Sequence, residues 1–267
     1  MNFSLQPKKS LGQNFLIDKN IINKIISIAA IKENQTILEI GAGSGNLTEI
    51  LAINRTNKVY AIEKDKKLSL YLKKKFQTFE NVNVINDDIF NIIKRNNLGQ
   101  NVIVIGNLPY NISTQVLASL IMLKKWPPWY KILILMFQKE VADRIIAKAH
   151  SKNFGRLSIL ADWRLDIKKN FDVSKNCFFP KPKINSTVLS FKPKKKVFNI
   201  KNPKNLETVT RILFSSRRKM INKNFLKLFN GDVSVAKKLN INLKERPDKI
   251  DKEIYYKITE IYEKLNN

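Results

Sequence analysis

Ile37-Leu38-Glu39-Ile40-Gly41-Ala42-Gly43-Ser44-Gly45-Asn46 is the stretch whose reading decides the fold. Its first half is an apolar run interrupted by one acid, which reads as a buried strand. Gly41, Gly43 and Gly45 then alternate with small residues. Glycine tolerates positive φ and has no Cβ, so such a turn lets backbone come close to a ligand. Residues 47–53 resume as an amphipathic helix. A strand running through a Gly-rich turn into a helix is the opening unit of a parallel α/β sheet.

The same alternation extends outward. Residues 36–40, 59–63, 82–85, 102–105 and 132–136 read as strands, with helical stretches at 47–53, 66–76, 114–123 and 139–148 between them. Continuous apolar strands separated by helices predict a Rossmann-like α/β fold, a parallel sheet with helices on both faces. A ligand is then expected at the strand ends. Residues 165–171 and 186–191 predict two further strands, flanking the stiff loop Phe178-Phe179-Pro180-Lys181-Pro182-Lys183. After Lys196 the β signals stop, and 206–215, 217–229, 233–239 and 252–265 predict helices. Two domains are expected: 1–196, and a small all-helical domain 197–267, joined where charge, Pro and Asn concentrate.

Composition narrows the chemistry. The 267 residues carry 49 Lys and Arg against 22 Asp and Glu, a formal net charge of +27, with 43% apolar residues. The apolar fraction supports a real core and argues against disorder. Cys177 is the single cysteine and His150 the single histidine, so a disulfide scaffold and a Cys/His zinc site lack their residues, and a Ser-His-Asp triad would have to use His150, which lies in a Lys-rich polar stretch. No metal site is expected. No run approaches roughly 18 uncharged apolar residues, and residues 1–10 have no secretory pattern, so a cytoplasmic protein without a membrane span is expected. The charge points first to nucleic acid and second to an anionic membrane surface. Coding bias towards Lys, Ile and Asn inflates the number, but basic residues also cluster at Lys192, Lys194, Lys195 and Lys196 and at Arg217, Arg218 and Lys219. Lys223 and Lys227 continue the second cluster at helical spacing, with Ile221, Phe225 and Leu228 on another face. A merely solvated face is the competing reading.

Three strand ends carry ligand-binding residues. In a dinucleotide fingerprint the third small residue stands five positions after the first glycine; here that place holds Asn46. The turn with Gly41 and Gly43 suits S-adenosylmethionine better, which has no pyrophosphate to hold. Glu63 closes the second strand, where a carboxylate accepts from ribose hydroxyls. Asp88 follows the third, where it can accept from an adenine amine; the alternative is that Asp87 and Asp88 cap the next turn.

The fourth strand ends in Gly106-Asn107-Leu108-Pro109-Tyr110-Asn111. An exocyclic adenine nitrogen is a poor nucleophile because its lone pair is delocalised into the ring. Two acceptors aimed at its N–H groups favour a pyramidal nitrogen; Asn107 offers a side-chain oxygen and Leu108 its carbonyl. Pro109 stiffens the turn, and Tyr110 can stack on the base beside a sulfonium cation. The bland alternative is a tight turn with a core tyrosine. Phe178 or Phe179 can supply the other face of a clamp around a flipped base, or both can be core.

With these residues in place, the sequence resembles the rRNA adenine N6-dimethyltransferases. The resemblance rests on the glycine stretch, Asn107-Leu108-Pro109-Tyr110, and Lys8-Lys9-Ser10-Leu11-Gly12-Gln13-Asn14-Phe15-Leu16. It rests also on residues 137–144, Gly155-Arg156-Leu157-Ser158, residues 178–183 and Ser216-Arg217-Arg218-Lys219. It implies a class I methyltransferase fold using S-adenosylmethionine. It implies Asn14, Leu16, Gly41, Gly43, Glu63, Asp88 and Asn107 as cofactor contacts, and Asn107, Leu108, Pro109, Tyr110 and Phe178 as the catalytic set, with Tyr110 and Phe178 stacking on the base. The small-subunit branch is implied by Gly12 and by residues 155–158. Its substrate is a pair of adjacent adenines in the 3′-terminal hairpin of 16S rRNA, within the immature small ribosomal subunit. A monomer is expected, with the helical domain binding RNA. The resistance-type 23S rRNA enzymes share the fold and the Asn-Leu-Pro-Tyr turn, and a non-catalytic binder on this scaffold is a further alternative. Phe179, Lys181 and Asn185 depart from the usual pattern.

Overall fold

The computed structural model describes residues 7–8, 12–53, 55–95 and 97–266. Lys9, Ser10 and Leu11 of the N-terminal motif, and the first six residues, lie outside them.

The sheet has seven strands. β2 (Thr36–Ile40), β3 (Lys58–Ile62), β4 (Val82–Ile85), β5 (Val102–Gly106) and β6 (Tyr130–Gln138) are joined by β7 (Leu165–Val173) and β9 (Ser186–Pro193) in the order β4-β3-β2-β5-β6-β9-β7. The ladders from β4 through β6 are parallel. β9 runs antiparallel to β6, so the sheet is mixed, where the apolar runs alone predict a parallel one. Both faces are buried: Ile37 and Ile103 are inaccessible on one, and Leu38, Val104 and Leu133 on the other. That double burial is why these strands read as continuous apolar runs. Helices α1 (Lys19–Ala29) and α2 (Asn46–Ala52) cover the face of Ile37, Val59 and Ile103, through Ile22, Ile25, Leu47 and Leu51. α3 (Lys66–Lys75) packs Leu72 against Ala61. The other helices here are α4 (Ile89–Arg95), α5 (Tyr110–Ile121) and α6 (Lys139–Ile145).

A separate two-residue ribbon pairs β1 (Phe15–Leu16) with β8 (Phe178–Phe179), Phe15 opposite Phe179 and Leu16 opposite Phe178.

The described chain divides into two compact units, one of residues 1–120, 128–142 and 167–193, the other of 121–127, 143–166 and 194–267. The sequence reading expects a single crossing at 196/197; the chain crosses more than once. The second unit contains α7 (Arg156–Arg164), α8 (Pro203–Leu213), α9 (Asn222–Leu228), α10 (Ser234–Lys238) and α11 (Lys252–Asn266). Within it the buried Glu263 accepts the Lys201 and Asn202 amides at 2.9 and 2.8 Å, tying α11 to the start of α8. α9 begins at Asn222 rather than at 217. The Ile221 and Asn222 amides bond to the Glu245 and Leu243 carbonyls, not to a preceding helical turn. The Arg217 guanidinium is spent on the carbonyls of Lys152 and Phe154. Lys223 and Lys227 are exposed and Ile221, Phe225 and Leu228 are buried, as the spacing predicts.

Candidate active site

The strand register sets the site. Ile40 is level with Ile62 and with Gly106, and Ile62 is level with Ile85. The residues that follow, Gly41, Glu63, Asn86 and Asn107, therefore emerge side by side at the carboxyl edge. One cavity opens there, lined by residues from Gly12 to Leu16, Glu39 to Leu47, Ile62 to Lys64, Asp87 to Ile89 and Asn107 to Ile112.

The glycine turn is built as its composition demands. The Gly41 and Ala42 amides both donate to the Ile62 carbonyl, at 2.9 and 3.1 Å. Gly43 sits at φ 55°, and a Cβ there would meet the Phe15 ring at 2.9 Å. Gly45 sits at φ 78°, and a Cβ there would strike Leu72 at 2.7 Å and Phe76 at 2.9 Å. The first glycine requirement is a close approach under Phe15; the second is helix packing.

Glu63 is a buried acceptor with both oxygens aimed. Oε2 accepts the Gly43 amide at 2.9 Å and Oε1 the Asp65 amide at 2.8 Å. Burial pushes its carboxyl up, and these amides only partly offset that. Asp88 accepts the Phe90 amide at 3.1 Å and pairs with the exposed Lys64 ammonium at 2.8 Å. Partial burial raises the Asp88 carboxyl, but the Lys64 and Phe90 hydrogen bonds outweigh it, and the net direction is down. Asp87 is turned to α4, accepting from the Asp88 amide, Asn91 and Arg95. Both residues line the cavity, but the Asp87 carboxylate is committed to its neighbours, while Asp88 caps α4 and also pairs with Lys64.

Asn14 and Leu16 come from the N-terminal segment. The Leu16 carbonyl accepts the Asn46 side-chain amide at 2.8 Å, and the Asn14 carbonyl accepts Asn107 Nδ2 at 2.9 Å. With Nδ2 engaged, Oδ1 is the acceptor that Asn107 presents, which is the polarity the turn needs. Leu108 is buried. The Pro109 carbonyl takes the Ile112 and Ser113 amides and starts α5. The half-buried Tyr110 places its hydroxyl 2.6 Å from Ser186 Oγ. Burial pushes the phenol up, so it stays neutral.

Of the residues singled out in the sequence, Asn14, Leu16, Gly41, Gly43, Glu63, Asp88, Asn107, Leu108, Pro109 and Tyr110 line this one cavity. Phe178 does not. It is 3% exposed and packs with Leu16, Val173 and Val188, while Phe179 is 57% exposed. Asn185 keeps an acceptor at a position where the resemblance favours Asp: its Oδ1 takes the Lys175 amide. Four contributors escape the sequence reading. Glu39 lines the cavity, fully buried and bonded to Thr48 at 2.6 Å, with burial raising its carboxyl to about 8. An acid inside an apolar strand was the available signal. Asn46 reads from sequence only as a break in a fingerprint. Lys8 holds the buried Asp65 carboxylate at 2.6 Å, and Ser186 has no sequence signal beyond opening a strand.

The residues fit S-adenosylmethionine. A cationic donor would meet the carboxylates of Glu63 and Asp88, and a ribose would meet a carboxylate already fixed by two amides; the cradle at Gly43 excludes any larger residue. Fold and site together define a class I S-adenosylmethionine-dependent methyltransferase.

The family model described as Ribosomal RNA adenine dimethylase matches residues 4–264. The chain belongs to that family, and its activity is the S-adenosylmethionine-dependent dimethylation of rRNA adenine. It is 47% identical to the Ribosomal RNA small subunit methyltransferase A of Pelagibacter ubique (strain HTCC1062), over 98% of each chain. It is 37% identical to the protein of that name from Wolbachia sp. subsp. Drosophila simulans (strain wRi), over 93% of this chain and 90% of the other. Among solved structures it is similar to a dimethyladenosine transferase from Plasmodium falciparum, with TM-score 0.78 and 27% identity over 94% of this chain and 98% of that one. The 23S rRNA methyltransferase ErmE shares the fold, with TM-score 0.66 and 19% identity over 93% of this chain and 99% of that one.

Proposed function

We propose that the chain dimethylates N6 of two adjacent adenines in the 3′-terminal hairpin of 16S rRNA, as a monomer acting on the immature small subunit in the cytoplasm. The observation that carries the chemistry is the 2.9 Å bond from Asn107 Nδ2 to the Asn14 carbonyl. It turns Oδ1 into a fixed acceptor for one N–H of the target amine; the Leu108 carbonyl takes the other. Preorganised acceptors of this kind stabilise charge as it develops and need no titrating base. Tyr110 offers its ring to the base, and the exposed Phe179, not the core-packed Phe178, is the ring available to close the other side. Bound S-adenosylmethionine supplies an electrophilic methyl group on sulfur. Glu63 and Asp88 hold its ribose and adenine, and Asn14, Leu16, Gly41 and Gly43 enclose it. The small-subunit target is supported by the names of the relatives and by Gly12 and Gly155-Arg156-Leu157-Ser158. Residues 197–267 bind RNA in this reading, through the exposed Lys223 and Lys227 of α9. No helix among the described residues is long and apolar enough to cross a membrane.

The test is incubation with labelled donor and immature small subunits, naked 16S rRNA, or 23S rRNA. Label on N6 of the paired hairpin adenines is the expected result. Label confined to 23S rRNA replaces the target; none on any RNA, beside a working control enzyme, overturns the proposal.

A further inference from the structure

Ser186 opens β9 directly after the Pro-rich loop and is wholly buried. A buried serine hydroxyl usually bonds to nearby main chain. This one lies 2.6 Å from the phenol oxygen of Tyr110, 76 positions earlier. The main chain at both ends of that bond is fixed. Ser186 pairs with Gln138 in the β6–β9 ladder, and the Lys139 amide donates to the Asn185 carbonyl at 3.0 Å. On the other side, the Pro109 carbonyl accepts the Ile112 and Ser113 amides at the start of α5. Between these anchors the ring has two side-chain torsions, and the hydroxyl contact fixes its far end. The neutral phenol keeps this contact through the physiological pH range.

We propose that Ser186 is a positioning residue for methyl transfer, setting the plane of the Tyr110 ring against which the target base stacks. The inference rests on the reading of Tyr110 as the base-contacting ring. It gives the Tyr110 hydroxyl an orienting role and no part in proton transfer. It also couples the Pro-rich loop to the catalytic turn, because Ser186 is where that loop enters the sheet.

The experiment compares S186A, Y110F, the S186A/Y110F double variant and Y110A. Each is assayed for turnover on the small-subunit substrate at saturating S-adenosylmethionine, with donor affinity by calorimetry and a pH profile alongside. S186A and Y110F are expected to lower kcat about tenfold each, the scale of one lost hydrogen bond. The double variant should fall no further than the worse single, since both remove the same contact. Donor affinity and the pH profile should not move. Losses that multiply to about a hundredfold, or unchanged kcat in S186A, overturn the coupling. So does a weakened donor in S186A, which marks general damage to the pocket, or a shifted pH profile in Y110F, which marks proton transfer. Y110A separates the two layers. Full activity there overturns the reading of Tyr110 itself, whereas a dead Y110A beside an unimpaired S186A removes only the role of Ser186.

Discussion

Asn107 donates its Nδ2 hydrogen to the main-chain oxygen of Asn14, 93 positions earlier, at 2.9 Å. The segment that lines the cavity from Gly12 to Leu16 thus also orients the amide proposed to be catalytic. Asn107→Ala should lower turnover about 10²–10³-fold, the usual cost of removing one preorganised hydrogen-bonding group from a reacting centre. Asn107→Asp keeps an acceptor and loses the bond to Asn14, so its loss should be intermediate. Single-turnover methyl transfer measures both; RNA affinity in a filter-binding assay should change far less. Equal losses in binding and turnover would assign Asn107 a structural role.

Glu63 presents two oxygens, each already holding one amide. Glu63→Gln must turn an NH₂ towards one of those amides. Donor affinity by calorimetry should weaken tenfold or more, since hydrogen bonds to charged groups contribute about 1.5–3 kcal/mol. Turnover at saturating donor should change little. An unaltered Kd would place the ribose elsewhere.

Glu39 makes stability depend on pH in the donor-free protein. Its folded carboxyl is raised from 4.5 to about 8, chiefly by burial. A raised carboxyl favours folding below its unfolded value and loses that advantage as pH climbs to the folded value. Stability should therefore fall between about pH 4.5 and pH 8, with Glu39 contributing at most ~1.4 kcal/mol per pH unit. Glu63, raised in the same direction, adds to the slope. Glu39→Gln should flatten the curve in urea titrations at pH 5, 6.5 and 8. An unchanged slope would show that Glu39 is not the group responsible.

Gly45→Ala places a methyl group 2.7 Å from Leu72 at a φ of 78°. Strain and overpacking together should cost about 1–3 kcal/mol in chemical denaturation. Gly231, also at positive φ but with nothing within 4 Å of an added Cβ, should lose only the backbone part.

The basic residues should separate by role. Arg217 holds the carbonyls of Lys152 and Phe154, so Arg217→Ala should lower the melting temperature. Lys223→Ala with Lys227→Ala should leave melting alone and reduce the slope of log affinity against log salt by about 1.4–1.8, the release of two counterions. A salt slope unchanged by the lysine pair would remove α9 from the RNA interface.

The sheet was legible because its central strands are buried on both sides and therefore carry unbroken apolar runs. Where burial is asymmetric the runs fail. The antiparallel return of β9 leaves no mark in its own residues, because strand direction is set by the connection and not by composition. Helix α1 has no place in the strand-and-helix alternation read from the sequence, although Asp18 caps it through the Asn20 and Ile21 amides. The start of α9 lies later than the spacing predicts because its first amides bond to a segment some twenty residues later. In the site, Gly41, Glu63, Asp88 and Asn107 were readable because strand ends align them in order. Ser186 and Asn46 were not, since each acts on a partner at least 30 positions away. Phe178 shows the limit of motif reading: its place beside the prolines is as expected, but its ring is packed among Leu16 and Val188.

The β1–β8 ribbon has a consequence for biosynthesis. The lining of the cavity is drawn from residues 12–112, yet Leu16 is clasped by Phe178. A nascent chain leaving the ribosome can raise the sheet's first four parallel strands early, but cannot latch its leading end until some 160 further residues have emerged. The N-terminal lining of the cavity is therefore completed only after about two-thirds of the 267 residues have been made, when the strand at Leu16 meets one synthesised much later.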